Sequence, residues 1–271
     1  MGEDAETVVG MAKNYFDEAV VNSHNYATTY VKVANSKIDS VVEIHDNSAS
    51  LFVSSKKRLF FTNIERLDKD YITRRIDAVR SAIKFIEPKE DYFGIAKGAF
   101  KYPRLGYDKR IANYGNETAI EIAEEAIGGA ESAGAEKIAG MISLGYSDSE
   151  LATSNGIAMR SGSSSVRISL RAFKGSIPFQ NIVASRYLSK LNPRKFGSEV
   201  GRFPSTVSEK KKIGGGAYDI IYMPQPAGLL LENVNAMACI GSIETGSFLA
   251  NRIGKKIAND ALSIYDDGAT R

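Results

Sequence analysis

The 271-residue sequence contains no tryptophan, one cysteine and two histidines. The single cysteine, Cys239, excludes an internal disulfide bond and favours a reducing compartment, so we predict a cytoplasmic protein. The histidines, His24 and His45, both lie far upstream of the apolar segment from Ala227 to about Cys239, which is predicted to form a helix. Two isolated imidazoles do not supply the ligand set of a metal site. The sequence therefore predicts neither a metal nor another cofactor.

Long apolar runs and a strong charge bias are missing as well. No apolar run reaches the roughly 18 residues that a membrane-spanning helix needs. The acidic N-terminus does not have the basic and then apolar order of a signal peptide. We therefore expect no membrane association. A balance of 35 Lys and Arg against 32 Asp and Glu gives a net charge of +3, which argues against nucleic acid as a partner.

The order of the predicted elements repeats along the chain. Apolar residues at helical spacing predict a helix over residues 5–20, followed by β-rich runs and by a second helix that Asp68 caps. The same order recurs from Asn116 and closes with a helix that starts at Pro193 after the cap Asn192. Each copy is predicted to contain a helix, four strands and a helix. The sequence thus predicts an α+β fold of duplicated helix–antiparallel meander–helix units.

Domain boundaries are placed in the two connectors that are rich in glycine, proline and lysine. Residues 1–112 are predicted to form the first α+β unit and residues 113–215 the second. Residues 216–271 are predicted to form a third, shorter segment that begins a C-terminal domain.

The third segment is predicted to contain a strand at 218–223, a helix from Ala227 to about Cys239, and a terminal strand near 262–265. A terminal strand without a partner invites association with another chain. The residues therefore leave open a self-associating interaction module, for instance a homodimer joined through exposed sheet edges.

Other residue groups have simpler structural explanations. Cys239 lies between apolar neighbours and is predicted to be a buried packing residue. His24 and His45 are predicted to lie at the surface, in a turn or at a strand end, and Ser161–Ser165 is predicted to be a loop. Lys210–Lys212, which precedes three glycines, does not follow the order of a phosphate-binding loop and is predicted to be a solvated linker.

A series of short blocks from residue 145 onward has an order and spacing found in one known protein family. The blocks are Gly145–Ser147, Leu151–Gly156, Val166–Phe173, Ala184–Leu188, Leu191–Pro193, Gly216–Pro224, Ala227–Leu230, Ser247–Leu249, Gly254–Ala258 and Asp266–Gly268. Together they resemble the TldD/PmbA family, once described as modulators of DNA gyrase. Residues 1–110 fit that family in layout alone.

The resemblance implies two subunit types. One type is similar to a zinc metallopeptidase, with H-E-x-x-x-H on a helix and a further ligand in a β-rich C-terminal domain. The other type lacks the ligands and pairs with the first. In this sequence the motif falls on residues 231–236, with Leu231 and Ala236 at the histidine positions and Glu232 at the position of the general base. Leucine and alanine cannot bind zinc, and without a metal-bound water Glu232 has nothing to activate.

The chain therefore resembles the PmbA-like, or TldE-like, subunit without a metal, with the β-rich C-terminal domain missing. The resemblance implies no catalytic residue in this chain, and an inactive chain by itself. It also implies a TldD-like metal-bearing subunit or a second copy as partner, in a complex that cleaves unfolded or small peptides. The self-associating module without a peptidase role remains the alternative.

Overall fold

The computed structural model describes residues 3–98, 100, 107–113 and 116–266. The chain divides into two compact units with the boundary after Val207. The domain boundaries predicted at residues 112 and 215 remain predictions. Among the described residues, no helix combines the length and the apolar character needed to cross a bilayer.

The first unit contains both copies of the duplicated layout. The first copy consists of α1 (Ala5–Ala12), β1 (Glu18–Ala34), β2 (Lys37–Ser55), β3 (Arg58–Ile64) and α2 (Lys69–Ala82). A short helix, α3 (Lys109–Asn113), precedes the second copy, which consists of α4 (Asn116–Ser132), β4 (Lys137–Thr153), β5 (Ala158–Lys174), β6 (Ile177–Ser185) and α5 (Pro193–Arg202). The predicted α+β class is confirmed.

Each copy has three strands, so the prediction of four is wrong. The strands β1, β2, β4 and β5 are each 17 to 19 residues long, and single strands cover the separate runs predicted within 41–54 and within 137–153. β1 already begins at Glu18, so the predicted first helix extended too far. The helix starts were predicted correctly. Asp68 accepts the Tyr71 N–H at 2.9 Å, and Asn192 accepts the Lys195 N–H at 2.9 Å before Pro193.

The six strands form one curled antiparallel sheet in the order β3-β2-β1-β4-β5-β6. The two copies meet where β1 pairs with β4, in a register that runs from Val20 opposite Thr153 to Val33 opposite Gly140. The two innermost strands are therefore the equivalent first strands of the two copies.

Two apolar cores lie on the helix-covered face of this sheet. The first core packs α1 and α2 against β1, β2 and β3, and it also includes Ala152 from the end of β4. The second core packs α4 and α5 against β4 and β5, and it includes Val31 and Val33 from the end of β1. Each core is thus completed by a strand of the other copy.

The helices of the second copy contact each other backbone to backbone. A Cβ added at Gly197 of α5 would lie 1.9 Å from the Ala126 carbonyl oxygen of α4. A Cβ at Gly201 would lie 2.3 Å from the Ala130 oxygen, and one at Gly129 would lie 2.0 Å from the Arg194 oxygen. These glycines are required because any side chain would separate the helices.

The connector after α2 is held against the first strands by the Glu18 carboxylate. This carboxylate accepts hydrogen bonds from Tyr92 Oη at 2.6 Å, Ser54 Oγ at 2.8 Å and the Ile95 N–H at 3.2 Å. Burial acts to raise the pKa of Glu18, but these hydrogen bonds outweigh burial and lower the pKa. Burial, followed by the bond to Glu18, raises the pKa of Tyr92 to about 12.

The second unit contains α6 (Pro224–Ala238) and α7 (Ile240–Glu244). The strands predicted at 218–223 and 262–265 are wrong, since residues in both ranges adopt no strand. A strand needs a neighbouring strand to pair its N–H and C=O groups, and the described residues of this unit supply none. None of the described side chains of α6 is buried.

Candidate functional site

The residues singled out in the sequence lie on α6. The Leu231 side chain is half-buried, whereas Glu232 and Ala236 are exposed. Positions 231 and 236 are five residues apart, so on a helix of 3.6 residues per turn they point about 140° away from each other. The described residues contain no cluster of three or more His, Cys, Asp or Glu that could hold a metal ion.

Cys239 follows directly after α6, and its predicted burial is wrong. The thiol is exposed, and the Sγ atom lies 3.6 Å from the Asn235 carbonyl oxygen. The apolar neighbours that suggested burial lie in a unit that has almost no core.

The larger candidate site lies at the centre of the sheet, on the face opposite the helices. Side chains alternate between the two faces of a strand, and the odd-numbered Val21 and Val31 of β1 point into the two cores. The even-numbered residues between them therefore point to the helix-free face. A cavity of about 470 Å³ opens there, and it is lined by His24, Tyr26, Thr28, Asp46, Ser48, Gly145, Tyr146, Ser147, Ser163, Ser164 and Ser165.

Two rows of small polar residues cross this cavity along β4 and β5. In the strand register Ser147 is opposite Ser163, Ser149 is opposite Ser161, and Gly145 is opposite Ser165. The prediction that Ser161–Ser165 forms a loop is wrong, because these residues occupy the middle of β5. We call the six residues Gly145, Ser147, Ser149, Ser161, Ser163 and Ser165 the serine rows.

Gly145 gives the cavity its depth. A Cβ at this position would lie 2.7 Å from Thr28 Oγ1 on the neighbouring strand, closer than the van der Waals radii of the two atoms allow. The Thr28 side chain can therefore occupy its position beside the serine rows only because residue 145 has no side chain.

His24 was predicted to lie at the surface or in a turn. It lies in the middle of β1, beside the serine rows, and is half-buried. Its Nδ1 lies 2.9 Å from Ser149 Oγ, and on the other side Ser48 Oγ donates to Asp46 Oδ2 at 2.6 Å. Nucleophilic catalysis by a hydroxyl and an imidazole needs a third group that orients the imidazole. In the part of the chain that the structure describes, Asp46 is bonded to Ser48 and no carboxylate bonds to His24. The described residues therefore do not assemble a hydroxyl, an imidazole and an orienting carboxylate at this place.

The strands beneath the cavity are fixed from the helix-covered face. Tyr146 Oη donates to Asp148 Oδ2 at 2.6 Å, and burial followed by this bond raises the pKa of Tyr146. The Tyr107 ring packs against Tyr146 with ring centroids 5.2 Å apart. A Cβ at Gly162 would lie 2.7 Å from the Tyr107 ring. The glycine therefore leaves the space that the Tyr107 ring needs to pack against Tyr146.

Asp108 anchors the segment that carries Tyr107. Its carboxylate accepts hydrogen bonds from Arg110 Nε at 3.0 Å, Arg110 Nη2 at 2.9 Å and the Leu188 N–H at 3.0 Å. The Asp108 N–H donates to Ser164 Oγ at 2.8 Å, and Ser164 Oγ donates to the Arg186 carbonyl at 2.7 Å. The hydrogen bonds from Arg110 are the main cause that lowers the pKa of Asp108.

Comparison with known proteins finds a family model for the C-terminal residues and solved structures with a similar fold. Residues 215–271 match a family model described as the PmbA/TldA metallopeptidase C-terminal domain. A search by sequence finds no match among curated proteins. The fold matches the crystal structure of a candidate modulator of DNA gyrase from Bacteroides thetaiotaomicron, with a TM-score of 0.77 and 19% identity over 94% of this chain and 61% of that chain. The resemblance to the TldD/PmbA family is confirmed.

Two further structures extend the TldD/PmbA comparison. TldE from Thermococcus kodakarensis matches with a TM-score of 0.63 and 13% identity, over 73% of this chain and 46% of that chain. A candidate modulator of a DNA gyrase from Thermotoga maritima matches with a TM-score of 0.62 and 15% identity, over 78% of this chain and 49% of that chain. The chain thus spans between 46% and 61% of the length of these structures. At such identities the likeness establishes the fold alone.

Sequence reasoning found the TldD/PmbA resemblance and the motif on α6 but missed the serine rows. Residues 161–165 and 147–149 contain no apolar residue, so they lack the alternation of apolar and polar residues that is typical of a half-buried strand. Serine and glycine are also common turn residues, which favoured the prediction of a loop.

Proposed function

We propose that this chain is a non-catalytic, PmbA-like subunit of a TldD/PmbA-type metallopeptidase complex. In this proposal it pairs with a TldD-like, metal-bearing subunit in the cytoplasm, and the complex cleaves unfolded or small peptides. The observation that carries the proposal is the motif on α6. In the placement that the sequence resemblance implies, leucine and alanine stand at the two histidine positions around Glu232, and these residues fall inside the range 215–271 matched by the family model.

The surface of the second unit supports a role as a subunit. Its apolar side chains are largely exposed, including Ile221 at 92%, Ile253 at 96% and Tyr265 at 85%. A partner that covered these side chains would remove their apolar surface from water, which favours association.

Co-expression with a TldD-like protein tests this proposal. We expect a stable complex that contains zinc and cleaves an unfolded peptide, whereas the chain purified by itself contains no stoichiometric zinc and cleaves nothing. The matched control is a TldD-like protein whose two motif histidines are replaced by alanine, which should still form the complex but lose cleavage. Zinc bound one to one by this chain without a partner would overturn the non-catalytic role.

The alternative function is a self-associating interaction module without a peptidase role. The exposed apolar side chains of the second unit would suit a second copy as well as a different partner. Association through a strand at 262–265 has no support, because those residues form no strand. Sedimentation equilibrium decides between the two functions. A symmetric dimer that persists when the TldD-like protein is added in excess favours the alternative.

A further inference from the structure

The connector that follows α2 crosses one end of the sheet. Residues 87–98, which we call the strap, form neither helix nor strand. The strap is bonded to the turn between β2 and β3, to the start of β1, and to the turn between β4 and β5. The first two places belong to the first copy and the third belongs to the second copy. The strap therefore links the two copies at this end of the sheet.

Exposed polar contacts fasten the strap at its outer positions. At the turn between β2 and β3, the Lys89 N–H donates to the Lys57 carbonyl at 2.9 Å, and Lys57 Nζ donates to the Glu90 carboxylate at 3.0 Å. At the turn between β4 and β5, Asn155 Nδ2 donates to the Ala96 carbonyl at 3.1 Å. Water competes for exposed contacts of this kind, so the ion pair in particular stabilises the closed strap only weakly.

The Glu18 carboxylate fastens the middle of the strap. It is half-buried and accepts hydrogen bonds from Tyr92 Oη at 2.6 Å, from the Ile95 N–H at 3.2 Å and from Ser54 Oγ at 2.8 Å. Two of these three donors belong to the strap. Hydrogen bonds to an ionised group are stronger than those between neutral groups. Glu18 therefore holds the strap more firmly than the exposed contacts do.

Little apolar surface is buried under the strap. None of its residues is buried, and the half-buried ones are Pro88, Tyr92 and Ile95. The Tyr92 ring covers Phe52, with ring centroids 6.2 Å apart, whereas Phe93 is 96% exposed. Segments with few buried apolar contacts open before the rest of a folded protein does. The closed position of the strap accordingly depends on its polar contacts.

Gly94 lies where the strap passes over Glu18. Its φ of +98° is a conformation that glycine adopts without steric cost. A Cβ at this position would lie 2.9 Å from Glu18 Oε1, and the three atoms nearest to it all belong to the Glu18 carboxyl group. A side chain at position 94 would therefore displace the carboxylate from its three donors.

We propose that the strap opens and closes as one unit, with Glu18 as the latch that holds it closed. Opening uncovers the Phe52 ring and releases the link to Asn155 in the second copy. The strap is thus a lid over this end of the sheet. This inference is independent of the function proposed above.

Amide hydrogen exchange of the full chain, resolved by NMR, tests whether the strap opens as one unit. The Ile95 amide reports the contact with Glu18, and the Lys89 amide reports the contact with Lys57. In the unsubstituted protein we expect both amides to open equally often, and at least about tenfold more often than the amide of Ile142 in the second core. Unequal opening of the two strap amides, or opening as rare as that of Ile142, overturns the proposal.

Glu18→Gln tests the latch. This variant removes the charge and leaves one acceptor oxygen for three donors. We expect exchange of the Ile95 and Lys89 amides to accelerate together by at least about tenfold. The matched control is Glu90→Gln, which makes the same change on the strap at an exposed ion pair and should leave both rates within about twofold. Acceleration at Ile95 without Lys89, or equal effects of the two variants, contradicts a latch at Glu18.

A pair of glycine variants tests the latch without changing a charge. Gly94→Ala and Gly98→Ala carry a similar backbone cost, because φ is +98° and +108° at the two positions. A Cβ at position 98 has no atom within 4 Å. We expect Gly94→Ala to accelerate exchange of the strap about tenfold more than Gly98→Ala does, since the displaced carboxylate loses its hydrogen bonds.

The same glycine pair in a Glu18→Ala background shows whether Gly94 acts through Glu18. The atoms nearest to the added methyl group are then absent, so Gly94→Ala should accelerate exchange no more than Gly98→Ala does. An excess effect of Gly94→Ala that persists without the Glu18 side chain, or that is missing when Glu18 is present, refutes the proposed latch.

Discussion

The two units of the chain differ in whether their isoleucine side chains are buried. In the first unit Ile142 and Ile168 are completely buried between the sheet and the helices. In the second unit Ile221 and Ile253 are more than 90% exposed, and none of the described side chains of α6 is buried. Both units are apolar enough to suggest a core, but only the first unit brings its apolar side chains together.

This difference indicates which unit is stabilised by packing among its own side chains. Fully burying an isoleucine stabilises a fold by about 1.5–3 kcal/mol, and the first unit gains that contribution many times. The second unit gains little of it from its own described residues. We therefore expect the first unit to determine the stability of the chain and the second unit to provide surface for association.

The largest expected effect comes from truncating one isoleucine in each unit. Ile142→Ala should lower the free energy of unfolding by about 2–5 kcal/mol, because it removes buried methyl groups and leaves a cavity. Ile221→Ala should change it by less than about 0.5 kcal/mol, because the side chain is already in water. Urea denaturation followed by circular dichroism measures both. Similar losses in the two variants would show that the second unit has a core of its own.

The second prediction tests the close contact of α4 and α5. Gly197→Ala should lower the free energy of unfolding by about 1–3 kcal/mol, because the new methyl group would overlap the Ala126 carbonyl. Gly10→Ala in α1 is the matched control. A Cβ there has no atom within 4 Å, so the better helix propensity of alanine should stabilise the protein by about 0.5–1 kcal/mol. Opposite signs in thermal denaturation are expected, and a stabilising Gly197→Ala would contradict the contact.

The third prediction concerns the Asp108 anchor beneath the cavity. Asp108→Asn should lower the free energy of unfolding by about 1–2 kcal/mol at neutral pH, because a hydrogen-bonded anion becomes a neutral amide. The folded-state pKa of Asp108 lies below its ordinary value. Its contribution is therefore complete above the unfolded pKa of about 3.9 and is lost as pH falls through the folded pKa.

The difference between wild type and Asp108→Asn should accordingly be constant near neutral pH and shrink below about pH 4. Denaturation curves recorded at several pH values measure it. A difference that grows on acidification would refute the assigned role of the Asp108 carboxylate.

The smallest effect on stability is expected from restoring the motif on α6. Leu231→His combined with Ala236→His should bind zinc weakly at most, because the two imidazoles supply only two ligands and a zinc site needs at least one further ligand. The melting temperature should change little, because Ala236 is exposed and Leu231 is only half-buried. Calorimetric titration with zinc measures binding, with the unsubstituted chain as control. Tight binding of one zinc per chain would falsify this description of α6.

Most of the wrong predictions of strands and loops in the first unit concern residues in the middle of the long strands. In β1, β2 and β4 the residues near His24, Asp46 and Ser147 lie between the stretches that contribute to the two cores. In β5 the residues near Ser163 precede the stretch that contributes to the second core. Their sequence lacks the alternation of apolar and polar residues that marks a half-buried strand. Polar stretches of this kind were therefore predicted as turns. As a result, long strands were predicted as several short ones, and Ser161–Ser165 was predicted as a loop.

The sequence by itself determined the features that depend on neighbouring residues. These are the α+β class, the duplicated order of elements, the caps Asp68 and Asn192, and the resemblance to the TldD/PmbA family. Each follows from local periodicity, local hydrogen bonding or residue identity.

Only the tertiary structure decided how the two copies combine. The pairing of β1 with β4 joins residues more than one hundred positions apart, for example Asn25 with Asp148, and no local pattern encodes that register. This pairing lets each copy complete the other's core and brings His24 of β1 beside Ser149 of β4. Exposure of the second unit is also a tertiary property, because burial depends on which surfaces meet and not on how apolar each residue is.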